Sequence, residues 1–294
     1  MKELLSTLLA TTEFMDPTTK IERAREEDVL NYVLIIAHPD DESMFFLPTI
    51  YNIAKTAPKR MHQIFILCLS NGNYDNLGTI RERELQSAAE IISSENTKIK
   101  VTIVEDEKLQ DGPKESWPAD LIADKIRDFI SAEKIENEKL ILMTFDEEGV
   151  SNHINHIHTY DGVLKFFSRH DRDGTYLKVN QKNFSRADVS LELWTLKSIN
   201  NPLMKYFPIT ILIQFMLEWL YFVTTKSRII EGNRCRRFCM INPALVWSAM
   251  RAHSSQFVWY RRLFVIFSRY SYVNDLTVHE WKRPHDERVL KKND

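Results

Sequence analysis

The chain has 294 residues, of which 44% are hydrophobic and 27% charged, with 39 Lys plus Arg against 41 Asp plus Glu. Such a length buries a sizeable core in one large domain or two small ones, and such a composition excludes general disorder. A formal net charge of −2 gives no overall attraction to nucleic acid, and three cysteines (Cys68, Cys235, Cys239) are too few and too odd for a disulfide-built scaffold.

The chain opens with a segment, residues 1–30, whose Leu-rich start (Leu4, Leu5, Leu8, Leu9) is too short to span a bilayer and lacks a signal-peptide layout. From Asn31 to about His170, apolar runs of strand length alternate with helical patterns. Strands are predicted over Tyr32–Ala37, Gln63–Leu69, Ile99–Val104 and Leu140–Phe145, with a further one over Leu191–Leu196. Helices are predicted over Met44–Lys55, Thr79–Ser93, Ala119–Ser131 and Asn155–Phe167. Continuous apolar runs fit strands covered on both faces, and their alternation with helices implies βαβ crossovers and a mostly parallel sheet. This α/β region is read as residues 31–200. Beyond it the pattern turns aromatic and basic, with nine basic residues and one acidic residue, Glu231, between Lys226 and Arg269. Residues 201–294 are expected to form a helical extension packed on the sheet. Within it, Tyr206–Val223 is nearly all apolar but carries Gln214 and Glu218. A carboxylate in hydrocarbon is costly, so a spanning helix is disfavoured against an element lying in a membrane interface or an ordinary buried helix.

Three motifs follow strands. His38-Pro39-Asp40-Asp41-Glu42-Ser43 gathers an imidazole and three carboxylates at the carboxyl edge of the first strand, where open α/β sheets bind ligands. A helix N-terminus uses acids for capping, but one would suffice; the extra desolvation points to a metal or catalytic site. The fourth strand leads to Gly149, His153, His156 and His158. His153 and His156, three apart, share a helix face, whereas His158 points elsewhere. The second strand leads to Ser70-Asn71-Gly72 and then Gly78, Arg81 and Glu84. Arg81 opposes the dipole at its helix start, so it binds a ligand hydroxyl or phosphate, or else pairs with Glu84. Asp111-Gly112-Pro113 is a turn at the same sheet edge, with Asp111 a candidate substrate contact.

Taken together these motifs resemble the LmbE-like zinc deacetylases. Ser254-Ser255-Gln256-Phe257-Val258-Trp259-Tyr260-Arg261-Arg262-Leu263 and Ile266-Phe267-Ser268-Arg269-Tyr270 are similar to a C-terminal signature of the eukaryotic branch, which acts on N-acetylglucosaminylphosphatidylinositol in GPI-anchor synthesis. The resemblance covers roughly Tyr32 to Leu276. It implies a Rossmann-like three-layer fold, a hydrolase that removes an N-acetyl group, and a phosphoinositide glycolipid substrate met at the cytosolic face of the endoplasmic reticulum membrane. Carried over residue by residue, it implies that His38, Asp41 and His156 bind Zn2+ (iron, cobalt or manganese suit the same donors) and that Asp40 is the general base. It implies that His153 stabilises the oxyanion as an imidazolium or a hydrogen-bond donor, and that Arg81 and Asp111 contact the sugar or its phosphate. Glu42 either orients His38 or serves the helix start. No nucleic-acid partner and no obligate protein partner are expected. Many members begin with a membrane anchor, and no such helix is visible before Asp40 here, so Tyr206–Val223 with the basic run after it is the candidate for membrane contact. Two other readings remain open: a zinc deacetylase of a soluble N-acetylglucosamine conjugate, and a catalytically silent membrane-associated relative.

Overall fold

Seven strands form one sheet in a computed structural model that describes residues 30–56, 63–94, 97–135, 139–173, 190–225 and 235–280. They are β1 (Leu30–Ile36), β2 (Gln63–Cys68), β3 (Ile99–Ile103), β4 (Lys139–Phe145), β5 (Ser190–Leu196), β6 (Cys235–Cys239) and β7 (Val273–Glu280), in the order β3-β2-β1-β4-β5-β7-β6. The first five run parallel, with Val33 of β1 opposite Phe65 of β2 and Leu142 of β4. Every residue of β1 is buried, as its unbroken apolar run requires of a central parallel strand. The predicted strands of residues 31–200 are all present within two residues of their expected ends, as are the helices expected over Thr79–Ser93 and Ala119–Ser131, while the helix expected over Asn155–Phe167 runs six residues further.

Ten helices flank the sheet among the described residues: α1 (Asp41–Phe45), α2 (Leu47–Thr56), α3 (Gly78–Ile92), α4 (Ala119–Ala132), α5 (Gly149–Asn152), α6 (Ile154–Asp173), α7 (Pro202–Tyr206), α8 (Ile209–Thr225), α9 (Pro243–Ala252) and α10 (Trp259–Phe267). The single helix expected over Met44–Lys55 is two, separated at Phe46, and it starts earlier because Asp41 and Glu42 occupy a first turn that favours acids. α4 packs on α6 at Gly162, where an added Cβ would lie 2.4 Å from the Ile122 side chain.

The extension differs from its expectation. It is not only helical: β7 pairs antiparallel with β5, and β6 with β7, so the sheet continues past residue 200. Much of the basic run is internal. Arg237 pairs with Asp275 (2.5 Å) and Glu218 (2.7 Å), Arg236 stacks over Trp194, and buried Arg269 bonds Asp275 at 3.0 Å. Arg251 and Arg262 are exposed, while Lys226, Arg228 and Arg234, like the segment 1–29, lie outside the described residues.

Candidate active site

The strand order reverses between β1 and β4, and the loops after these two strands open onto one crevice, as expected at a topological switch point. The crevice has a volume of about 820 Å³. His38, Asp40, Asp41, Arg81, Asp111, His153 and His156 line one end, and Tyr206, Phe207, Leu263 and Phe267 the other. All seven site residues named from the sequence are therefore brought together.

At the end of β1 the backbone N–H groups of Ala37 and His38 donate to Asp41 Oδ2 at 3.1 and 2.9 Å. This fixes the carboxylate and turns Oδ1 towards His156 Nε2, 3.2 Å away. The His156 ring is stacked on Phe145, and its Nδ1–H donates to the Gly149 carbonyl at 3.1 Å, which leaves Nε2 as the inward-facing nitrogen. Gly149 offers that carbonyl from φ +59°, and an added Cβ would press on His156 at 2.9 Å. Burial opposes charge on both partners. Even so, the imidazoles of His156 and His38 hold Asp41 well below the usual carboxylate range, and Asp41 raises His156.

His38 Nε2 lies 3.1 Å from Asp111 Oδ1 and 3.0 Å from the Asn155 amide. Asn155 Oδ1 has no partner; with the amide turned to present that oxygen, both neighbours accept from an Nε2–H and Nδ1 faces the Asp41 side. The sequence reading allowed Glu42 to orient His38. The structure corrects this: Asp111 and Asn155 hold the ring, and Glu42 points elsewhere. Burial raises the Asp111 carboxyl, but hydrogen bonding to His38 and the charges of His38 and Arg81 outweigh it and lower the pKa.

His153 is less buried, and its Nδ1 lacks a partner. Burial, then repulsion from His156 and His38, lowers its pKa to about 4, which favours the neutral N–H donor over the imidazolium. Asp40 sits at φ 122°, a strained value for a non-glycine residue, where its N–H donates to Glu42 Oε2 at 3.1 Å. Its Oδ2 meets Arg81 Nη2 at 3.5 Å and is hydrogen-bonded by Arg261 Nη1.

The donors fit a divalent metal. His38, His153 and His156 each place a ring nitrogen within 4.8 Å of the others. Two ligand atoms each ~2.0–2.2 Å from one tetrahedral ion lie ~3.3–3.6 Å apart, close to the Asp41–His156 contact. An ionised, backbone-anchored carboxylate beside buried imidazoles is the donor set that zinc and its neighbours prefer.

The model of the family described as PIG-L, GlcNAc-PI de-N-acetylase, matches residues 33–167. The N-acetylglucosaminyl-phosphatidylinositol de-N-acetylase of Bos taurus is 32% identical over 249 residues, covering 83% of this chain and 81% of the relative. A probable N-acetylglucosaminyl-phosphatidylinositol de-N-acetylase of Schizosaccharomyces pombe is 33% identical over 274 residues, 90% of this chain and 94% of its own. The chain belongs to the GlcNAc-PI de-N-acetylase family. Its fold is that of N,N'-diacetylchitobiose deacetylase from Pyrococcus horikoshii, with a TM-score of 0.50 at 15% identity over 98% of this chain and 97% of that one.

In this member of the GlcNAc-PI de-N-acetylase family Arg81 is a clasp as well as a pocket residue. It is buried, it donates to the carbonyls of Gly72 (2.9 Å) and Pro39 (2.8 Å), and it pairs with Asp111 at 3.4 Å. Gly72, at φ +70°, is required here, since a Cβ would lie 2.4 Å from the guanidinium carbon. The alternative partner Glu84 does not pair with Arg81; it accepts from Ser254 Oγ, Ser255 N and Ser255 Oγ at 2.6–2.9 Å. Glu42 accepts from Ser43 Oγ (2.6 Å) and pairs with His253 (2.7 Å), both Glu42 and His253 being fully buried. The C-terminal signature is thus docked on the two strand-end motifs. His158, as expected, points away, accepting from the Trp117 N–H at 3.3 Å. Sequence reasoning assigned no role to Asn155, His253 or Arg261. Asn155 lies between the two site histidines and the other two inside or beside the C-terminal signature, but nothing local reveals partners 117, 211 and 221 residues away.

Proposed function

We propose that this chain is a divalent-metal-dependent hydrolase that removes the acetyl group from N-acetylglucosaminylphosphatidylinositol, the second step of GPI-anchor synthesis. The observation that carries the proposal is the two-ended crevice, which sets a His–Asp cluster for the acetamide at one end and an apolar wall for a lipid at the other. His38, Asp41 and His156 would hold the metal, Zn2+ being the first candidate. Bound there, it would polarise the acetyl carbonyl and make water a nucleophile near neutral pH. Asp40, whose Oδ2 faces the arginines, takes the proton of the attacking water on Oδ1. His153 donates a hydrogen bond to the oxyanion of the tetrahedral intermediate. The proton held by Asp40 then passes to the departing amine, giving acetate and the free glucosaminyl lipid. Asp111 keeps His38 in its tautomer, and with Arg81 it lines the place of the sugar.

The test is release of free amine from GlcNAc-PI by purified protein before and after chelation. Turnover should fall at least a hundredfold on chelation and return with one equivalent of divalent metal. Turnover indifferent to exhaustive chelation would refute metal dependence. Turnover confined to soluble N-acetylglucosamine conjugates would replace the lipid substrate.

A glycolipid substrate requires contact with a bilayer, which we place on α8 and α10 at the cytosolic face of the endoplasmic reticulum. No described helix is long and apolar enough to cross a membrane. α8 is instead turned inside out: Gln214 bonds Glu218 at 2.7 Å and Glu218 bonds Arg237 on the body side, while Leu212, Met216 and Trp219 are exposed. Exposed Trp259, Leu263 and Phe267 of α10 continue this apolar surface to the mouth of the crevice. Such a surface fits the acyl boundary of a leaflet. Phe215, which lies under the Arg237 guanidinium, belongs to the body side. Met216→Glu with Trp219→Glu should remove most of the protein from floated liposomes without changing its thermal midpoint. Undiminished flotation would place the contact elsewhere.

A further inference from the structure

Two guanidinium groups meet on Asp40 Oδ2, and they are held differently. Arg81 is locked by the carbonyls of Gly72 and Pro39 and by Asp111, so its position is set by the fold. Arg261, from the first turn of α10, is paired with Asp40 alone among the described residues, and the reaction derived above gives it nothing to do. Its place in the crevice is particular. On one side it touches the carboxylate that serves the acetamide; on the other, its own helix supplies Tyr260, Leu263 and Phe264 to the apolar wall. Arg261 therefore stands at the junction between the polar and apolar ends.

In a substrate made of a sugar joined through a phosphodiester to a lipid, the phosphodiester occupies that junction. It carries a permanent negative charge and offers two free oxygens, which a planar guanidinium binds in a fork that a lysine ammonium cannot reproduce. We propose that Arg261 recognises the phosphodiester of the substrate, exchanging Asp40 Oδ2 for a phosphate oxygen. This rests on the glycosyl-phosphodiester substrate proposed above and adds the residue that reads it. Before the lipid arrives, Arg261 is held by Asp40; once the phosphodiester is bound, the guanidinium turns to the phosphate and Asp40 keeps Arg81 at 3.5 Å. A neutral glycoside cannot drive this exchange.

The experiment compares GlcNAc-PI with octyl N-acetylglucosaminide, a neutral glycoside lacking phosphate, for the wild type, Arg261→Ala and Arg261→Lys, each at measured metal stoichiometry. Binding of glycerophosphoinositol by calorimetry is measured in parallel and needs no turnover. The ratio of kcat/KM for the charged over the neutral substrate should fall about tenfold to a hundredfold in Arg261→Ala and recover in part in Arg261→Lys. Glycerophosphoinositol affinity should fall with it. An unchanged ratio with unchanged affinity, even where both activities drop, would overturn the proposal and leave Arg261 as a partner of Asp40 only. A wild type active on the neutral glycoside and inert on GlcNAc-PI would overturn the parent reading and this one together, which separates the two failures.

Discussion

Asp40→Asn is expected to lower kcat by about 10²–10⁴-fold, the span of a lost general base, while the protein keeps its metal. The substitution is close to isosteric, and Asn is among the few residues that tolerate positive φ, so the strained backbone at this position survives it. The proposed metal donors His38, Asp41 and His156 are held by other groups, namely backbone N–H groups, Asp111 and the Gly149 carbonyl, and none of these passes through the Asp40 side chain. An amide cannot take the proton from water, so turnover fails where binding does not. Metal content by elemental analysis and kcat from amine release, measured on the same preparation, decide it. Turnover within a few-fold of wild type would move the base to another residue, and loss of metal along with activity would make Asp40 part of the metal site.

His253→Ala should be the most destabilising single change outside the cluster. His253 and Glu42 are both fully inaccessible and 2.7 Å apart, and Glu42 also receives Ser43 Oγ and the Asp40 N–H. Removing one partner of a buried pair leaves an uncompensated charge, at a cost of ~3–5 kcal/mol. The effect depends on pH with a definite sign. Burial lowers the His253 pKa, but the Glu42 carboxylate more than offsets this and raises it above its ordinary value of 6.5. The folded state thus holds the proton more tightly than the unfolded chain, so the stabilisation is fully present below the unfolded value and is lost as pH rises through the folded one. Urea midpoints of wild type and variant should differ most near pH 6 and converge in alkali. A difference that grows with pH would mean that the pair is not ionised.

The early part of the fold was legible because β1 to β5 obey a simple rule: parallel strands covered on both faces are unbroken apolar runs, and strand-end polar residues then stand out. His38, Asp41, His153 and His156 could be read as one site because the motifs follow β1 and β4, and a parallel sheet brings their carboxyl ends to one edge. β6 escaped notice because Cys-Arg-Arg-Phe-Cys looks like surface: Arg237 is neutralised by Asp275 and Glu218, and Arg236 pairs with Glu192 while stacking on Trp194, all residues outside the strand. The same limit applied to Glu42, whose spacing to His38 suggested a local role, while the actual partner His253 comes from α9's C-terminal end. Periodicity reports burial against the rest of the protein, and strand-end position reports the site edge. Neither reports which distant charge neutralises which.

The strand order carries a consequence for how the molecule is made. β6 is synthesised before β7 yet lies outside it, so it has no neighbour to pair with until residues 273–280 exist. Glu42 and Asp40 likewise wait on late residues, since His253 and Arg261, just ahead of β7, both belong to the last quarter of the sequence. The side chains that fix Glu42 and Asp40 are thus synthesised some 200 residues after the motif they hold, which stays without these two partners until α9 and α10 have been made.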